Sequence, residues 1–82
     1  MIKVLSVSYI GEFNLALHFS DGKEGVFDGR ALLQRKGPLL DALRQEEFFR
    51  RAFIDMGAVC WPNGLELSPA RLYETCLKPE HV

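Results

Sequence analysis

Asn63-Gly64, set between Trp61-Pro62 and Leu65-Glu66-Leu67, is the feature that most limits how this chain folds. Asn-Gly is a strong short-range hairpin signal, because glycine accepts positive φ and Asn tolerates it. Pro62 just before it ends a strand, since proline cannot donate to a central ladder. Ser20-Asp21-Gly22-Lys23 repeats the theme. Both turns follow an aromatic residue, Phe19 or Trp61, and both are expected to be tight two-residue hairpins.

Strands follow on each side. Ile2 to Tyr9 is β-branched and aromatic with serines interleaved, and Gly11 ends it. Phe13, Leu15, Leu17 and Phe19 alternate with Asn14, Ala16, His18 and Ser20, so one face of that strand is buried. Glu24 to Phe27 returns, which makes a three-stranded antiparallel meander. Later, Phe53 to Asp55, a Met56-Gly57 turn, Ala58 to Trp61 and Leu65 to Leu67 form the second unit.

Helix-start chemistry marks the rest. Asp28 is a side-chain cap for a short helix at Ala31-Leu32-Leu33. Pro38 fits the first turn of a second, with Leu39, Leu40 and Leu43 on its apolar side. Gln45 to Ala52 reads as another turn or two, with Phe48, Phe49 and Ala52 inward. Glu46 and Glu47 at its start and Arg50 and Arg51 at its end suit the helix dipole. Ser68-Pro69 opens a last helix over Ala70 to Leu77; Lys78-Pro79 stops it and Glu80 to Val82 frays. The expectation is one α+β domain over residues 1–82: a small antiparallel sheet of two hairpin or meander units packed against short helices.

Composition narrows function mainly by exclusion. At 82 residues the chain has one modest core and gains from borrowing surface from a partner. Apolar residues make up 48%, which argues for a folded domain. Net charge is −1, so nucleic acid has no basic face to meet. The small groups Arg30, Arg35 and Lys36, and Arg50 and Arg51, read first as solvated helix faces. The amino terminus lacks the order of a signal peptide and no apolar run reaches membrane length, so a cytoplasmic location is expected. Cys60 and Cys76 read as buried reduced thiols, and His18 and His81 share no metal-ligand spacing with them.

No catalytic constellation is legible. Asp21, Asp28, Asp55 and Glu66 are the candidate acids, but Asp21 and Asp28 already have roles as turn and cap. His18 belongs on the outer sheet face. Ser6, Ser8, Ser20 and Ser68 sit in no nucleophile-elbow pattern, and Gly22, Gly25 and Gly29 form no phosphate loop. Trp61 has two readings: a core anchor whose indole N–H reaches a partner, or an interface hot spot beside Arg71 and Tyr73.

An ordered set of residues resembles the small prokaryotic family catalogued as Domain of Unknown Function 2442. The set is Leu15-x-Leu17-x-Phe19-Ser20-Asp21-Gly22, Val26-Phe27-Asp28, Gly37 to Leu43, Phe48 or Phe49, Trp61-Pro62-Asn63-Gly64, and Pro69-x-x-Leu72-Tyr73. The resemblance implies a compact α+β domain and no established activity, cofactor or catalytic residue. Members look like one half of two-gene, toxin–antitoxin-like modules, and some carry an added helix-turn-helix domain. The sequence here ends at Val82, so the expectation is that such a DNA-reading module is missing. Glu66 stands where the family often has Asp.

The first expectation is therefore a non-enzymatic protein-interaction module, antitoxin-like or an adaptor. Its partner would be another small protein from an adjacent gene, or a second copy in a homodimer. Its surface would draw on Tyr9, Asp21, Trp61, Asn63, Glu66, Arg71 and Tyr73; catalytic, cofactor and metal residues are none. The alternative is a small-ligand sensor or minimal enzyme, with a pocket between the two turns lined by Asp21, Trp61, Asn63, Glu66 and Tyr73. A third is a weak nucleic-acid binder through the Arg30, Arg35, Lys36, Arg50 and Arg51 groups.

Overall fold

A computed structural model describes residues 1–77. The chain runs β1 (Val4–Gly11), β2 (Asn14–Phe19), β3 (Glu24–Asp28), α1 (Gly29–Leu32), α2 (Pro38–Leu43) and α3 (Glu46–Phe49). It continues through β4 (Phe53–Asp55), β5 (Ala58–Cys60), β6 (Glu66–Leu67) and α4 (Pro69–Cys76). The strands form two three-stranded antiparallel sheets, ordered β1-β2-β3 and β4-β5-β6, so the fold is α+β. The two expected units are thus separate sheets. They meet where the Val4 N–H donates to the Gly57 carbonyl at 2.9 Å.

The alternation in β2 decides its register. Leu15, Leu17 and Phe19 are buried, and His18 is exposed, 3.2 Å from Glu24 on β3. Val4, Val59, Leu43, Phe49, Trp61, Leu72 and Cys76 join those side chains, so both sheets and three helices share one core. The Trp61 indole N–H donates to the Phe49 carbonyl at 2.8 Å, which satisfies the one polar group that this large side chain brings inside. Cys60 and Cys76 are both buried and are not joined in a disulfide.

The hairpins do not follow the expected rule. Asp21-Gly22 and Asn63-Gly64 close three-residue loops rather than two-residue ones. Gly22 N–H donates to Phe19 C=O and Phe19 N–H to Lys23 C=O; Gly64 N–H donates to Trp61 C=O and Trp61 N–H to Leu65 C=O. Only the glycines cross to positive φ, at +90° and +94°. This is a type I turn followed by a left-handed residue. At the second corner Pro62 has no N–H with which to pair beside a two-residue loop. At the first, Ser20 is taken by Lys3: its N–H donates to the Lys3 carbonyl and its Oγ accepts from the Lys3 N–H.

The two-residue loops lie elsewhere. Met56-Gly57 joins β4 to β5, and Glu12-Phe13 joins β1 to β2, with both residues of each at positive φ. A non-glycine residue held there costs roughly 1–2 kcal/mol. Phe13 is held by three contacts. Its N–H donates to Tyr9 Oη at 3.2 Å, its carbonyl accepts from Gly29 N–H at 2.7 Å, and its ring meets the Phe49 ring edge-on at 5.2 Å. Gly29 permits this approach, since a Cβ there would sit 2.4 Å from the Phe49 ring.

The caps form as expected. Asp28 Oδ1 accepts from Arg30 N–H and Ser68 Oγ from Arg71 N–H. α3 is shorter than the Gln45–Ala52 span expected for it, with Arg50 as its C-cap. One clasp had no sequence signal: the Arg44 guanidinium donates to the Leu33 and Arg35 carbonyls and to Asp41. α4 lies against β3, where Gly25 approaches the Cys76 carbonyl so closely that a Cβ would fall 2.2 Å from it. The expected stop at Lys78-Pro79 and the tail to Val82 lie outside the described residues.

Candidate functional site

The seven residues expected to share a surface divide among five places. Trp61 is 1% exposed and belongs to the core, so the hot-spot reading of its indole is set aside. Asn63 is spent on its own corner: its Oδ1 accepts from Leu65 N–H and its Nδ2 donates to the Leu39 carbonyl at 2.9 Å, pinning the corner to α2. The expected pocket between the two turns is therefore not assembled: Trp61 is buried in the core, Asn63 is held at its corner, and Glu66 lines a separate groove away from Asp21 and Tyr73.

Asp21 and Tyr73 do meet. Tyr73 Oη donates to Asp21 Oδ2 at 2.5 Å, and the Lys23 ammonium lies 5.9 Å from the Tyr73 ring centre. That hydrogen bond is the chief cause of a carboxyl pKa below the ordinary Asp value and a phenol pKa above the ordinary Tyr value. Tyr9 makes a parallel arrangement. Its Oη donates to Glu46 Oε2, which is the main reason its pKa rises, and the Arg50 guanidinium lies 5.5 Å from its ring centre. Both pairs are clasps, one holding α4 to the β2–β3 turn and the other holding β1 to α3. A phenol whose pKa is raised keeps its proton and goes on donating it, so each hydroxyl is suited to hold its carboxylate.

Glu66 and Arg71 reach the fifth place, an open groove of about 710 Å³ between β3 and α1 on one side and β6 and α4 on the other. Phe27, Leu32, Leu67 and Leu72 supply its apolar surface, and Arg35, Glu66, Arg71 and Glu74 its charges. The Arg35, Arg71 and Glu74 side chains make no hydrogen bond or ion pair among the described residues. Glu66 Oε2 accepts only a long contact from the Cys60 thiol at 3.8 Å; burial is the first cause of that thiol's raised pKa. The alternation of β6 adds a backbone element. Because Trp61 N–H donates to Leu65 C=O, the next residue, Glu66, turns its own N–H and C=O to the outer edge of the sheet.

Phe27, Leu32, Leu67 and Glu74 were missed as site residues. The available signal was the pattern of α4, in which Leu72 and Cys76 are buried while Arg71, Glu74 and Thr75 are exposed. What the sequence did not show was that α1 stands opposite. Of the basic groups, Arg35 lines the groove, Arg30 pairs with Asp28 and Arg50 covers Tyr9, so they present no common basic face. Among the described residues no three His, Cys, Asp or Glu side chains gather as metal ligands, and His81 lies outside them. No helix of the described residues is long and apolar enough to cross a membrane.

This is a small α+β domain with tyrosine clasps and one open, mixed-charge groove. Residues 4–78 match the family model described as protein of unknown function, DUF2442, and the chain belongs to that family. No curated protein and no solved structure matches it.

Proposed function

We propose that the domain is a non-enzymatic protein-interaction module and that the groove between α1 and α4 is its contact face. One observation carries this reading: an open apolar floor is rimmed by charged side chains, of which Arg35, Arg71 and Glu74 make no hydrogen bond or ion pair among the described residues. A small-molecule site encloses most of its ligand and converges a few polar groups on it. Here the charges come from four different places, the C-terminal side of α1, β6 and two turns of α4, around an open trough. Such a surface fits a polypeptide, with apolar contact at the centre and polar groups at the rim. An antitoxin-like or adaptor role, with a partner made by an adjacent gene, agrees with that chemistry.

The test is co-expression with the adjacent gene's product and capture on a tagged domain. Ala31 and Ala70 are exposed and line the groove, so Ala31→Trp or Ala70→Trp fills it without entering the core. Each is expected to lower capture at least about tenfold, the equivalent of one lost central contact, with the melting temperature unchanged. Capture that persists in both variants would refute the groove as the contact face.

A further inference from the structure

We infer that, in the chain on its own and until another protein takes its place, the occupant of the groove is a second copy of this chain, packed about a two-fold axis with the two α4 helices antiparallel. The inference rests on the groove being a protein-binding face. A two-fold interface must complement itself, so every cation on it needs an anion on the same surface. The groove meets that condition with Arg35 and Arg71 against Glu66 and Glu74.

Arg71 and Glu74 stand three residues apart on α4, a spacing at which ion pairs close within a helix. Asp41 and Arg44 on α2 have the same spacing and do close, at 2.6 Å. Arg71 and Glu74 do not, and neither side chain has another partner among the described residues. Antiparallel packing sets Arg71 of one copy beside Glu74 of the other, and symmetry forms the pair twice. The residues flanking the pair, Ala70 and Thr75, are small, exposed and also line the groove. The same symmetry brings Ala70 opposite Thr75 of the second copy, which lets the helices approach. Antiparallel helices also oppose their dipoles favourably. Leu67 and Leu32, both half-buried in one chain, lie where the second copy would cover them.

The surface is small. Twelve residues line the groove, against roughly 20–30 a side in a standard interface. The dimer is therefore weak, with dissociation in the micromolar range and sensitivity to salt.

Sedimentation equilibrium of the full chain from about 1 µM to about 1 mM tests this. Wild type is expected to pass from monomer to dimer. Arg71→Glu and Glu74→Arg each place like charges together twice and are expected to weaken the dimer about tenfold. The double variant Arg71→Glu/Glu74→Arg restores both pairs with their signs exchanged and is expected to recover most of that loss. A wild type that stays monomeric over the whole range, or a double variant as weak as the singles, would overturn the inference. If the chain is monomeric and Ala70→Trp still abolishes capture of the adjacent gene's product, the groove is a contact face but its occupant is not a second copy. If a dimer forms that neither Ala70→Trp nor either single charge reversal disturbs, the interface lies elsewhere and the inference is wrong.

Discussion

The corner at Asp21-Gly22 and the corner at Asn63-Gly64 are built alike and used differently. Each has a buried aromatic before it, the same two backbone bonds, a glycine near φ +90°, and an Asp or Asn side chain that accepts from the N–H two residues on. They part at the second oxygen or the amide nitrogen. Asn63 donates inward along the chain to α2 and sits beside Trp61, which is itself bonded to α3. Asp21 accepts from Tyr73 on α4 through an exposed, charged contact. The same local chemistry makes a neutral corner welded to the core and an ionisable one clasped at the surface. The two corners share one loop geometry, and the choice between amide and acid fixes how pH acts on it.

The largest difference should appear when the aromatics are truncated. Total stability for a chain of this length is about 4–12 kcal/mol. Phe19→Ala is expected to cost about 3–4 kcal/mol through lost burial and the lost edge contact with Tyr73. Trp61→Ala should cost about 5 kcal/mol, because it also removes the 2.8 Å indole hydrogen bond to the Phe49 carbonyl and leaves that oxygen only the longer 3.3 Å bond from Ala52 N–H. Urea unfolding monitored by circular dichroism measures both. Equal costs would mean that the indole hydrogen bond adds nothing and that the two corners are equally anchored.

A smaller, sharper contrast lies in pH. The Asp21 carboxyl is held below its ordinary value of 3.8, first by the Tyr73 hydrogen bond and then by the Lys23 N–H. A folded-state value below the unfolded one stabilises the fold at pH above 3.8. That contribution is lost as pH falls from there through the folded value. Tyr73→Phe is expected to flatten this acid limb in a plot of melting temperature against pH. Asn63→Ala should shift the whole curve downward and leave the limb's shape intact, since an amide does not titrate. An unchanged limb in Tyr73→Phe would break the contrast between the corners.

Much of this architecture was legible because it depends on nearest neighbours. The alternation from Leu15 to Phe19, the caps at Asp28 and Ser68 and the proline at the start of α2 all act within a few residues. The loop types were not legible, because distant contacts decide them. Glu12-Phe13 takes the conformation that Asn-Gly was expected to take, and only Tyr9, Gly29 and Phe49 explain how Phe13 is kept there. At Asn63-Gly64, the proline expected only to end the strand also lengthens the loop, because Pro62 has no N–H to close a two-residue turn. The candidate surface was half legible: Glu66 and Arg71 reach the groove, but Trp61 and Asn63 are drawn away by bonds to the Phe49 and Leu39 carbonyls. Tyr9, Asp21 and Tyr73 pair with partners as many as 52 residues apart, a distance no spacing rule spans.

The working surface can be located directly. A nitrogen-15 chemical-shift series on the chain, recorded from dilute to concentrated solution, reports each backbone amide as the groove fills. The account predicts that shifts concentrate at Ala31, Leu67, Ala70, Arg71 and Glu74, with the β1 and β4 amides unmoved. Shifts centred instead on the exposed apolar side chains of β1, β4 and the turn after it, at Leu5, Ile10, Phe53 and Met56, would contradict it.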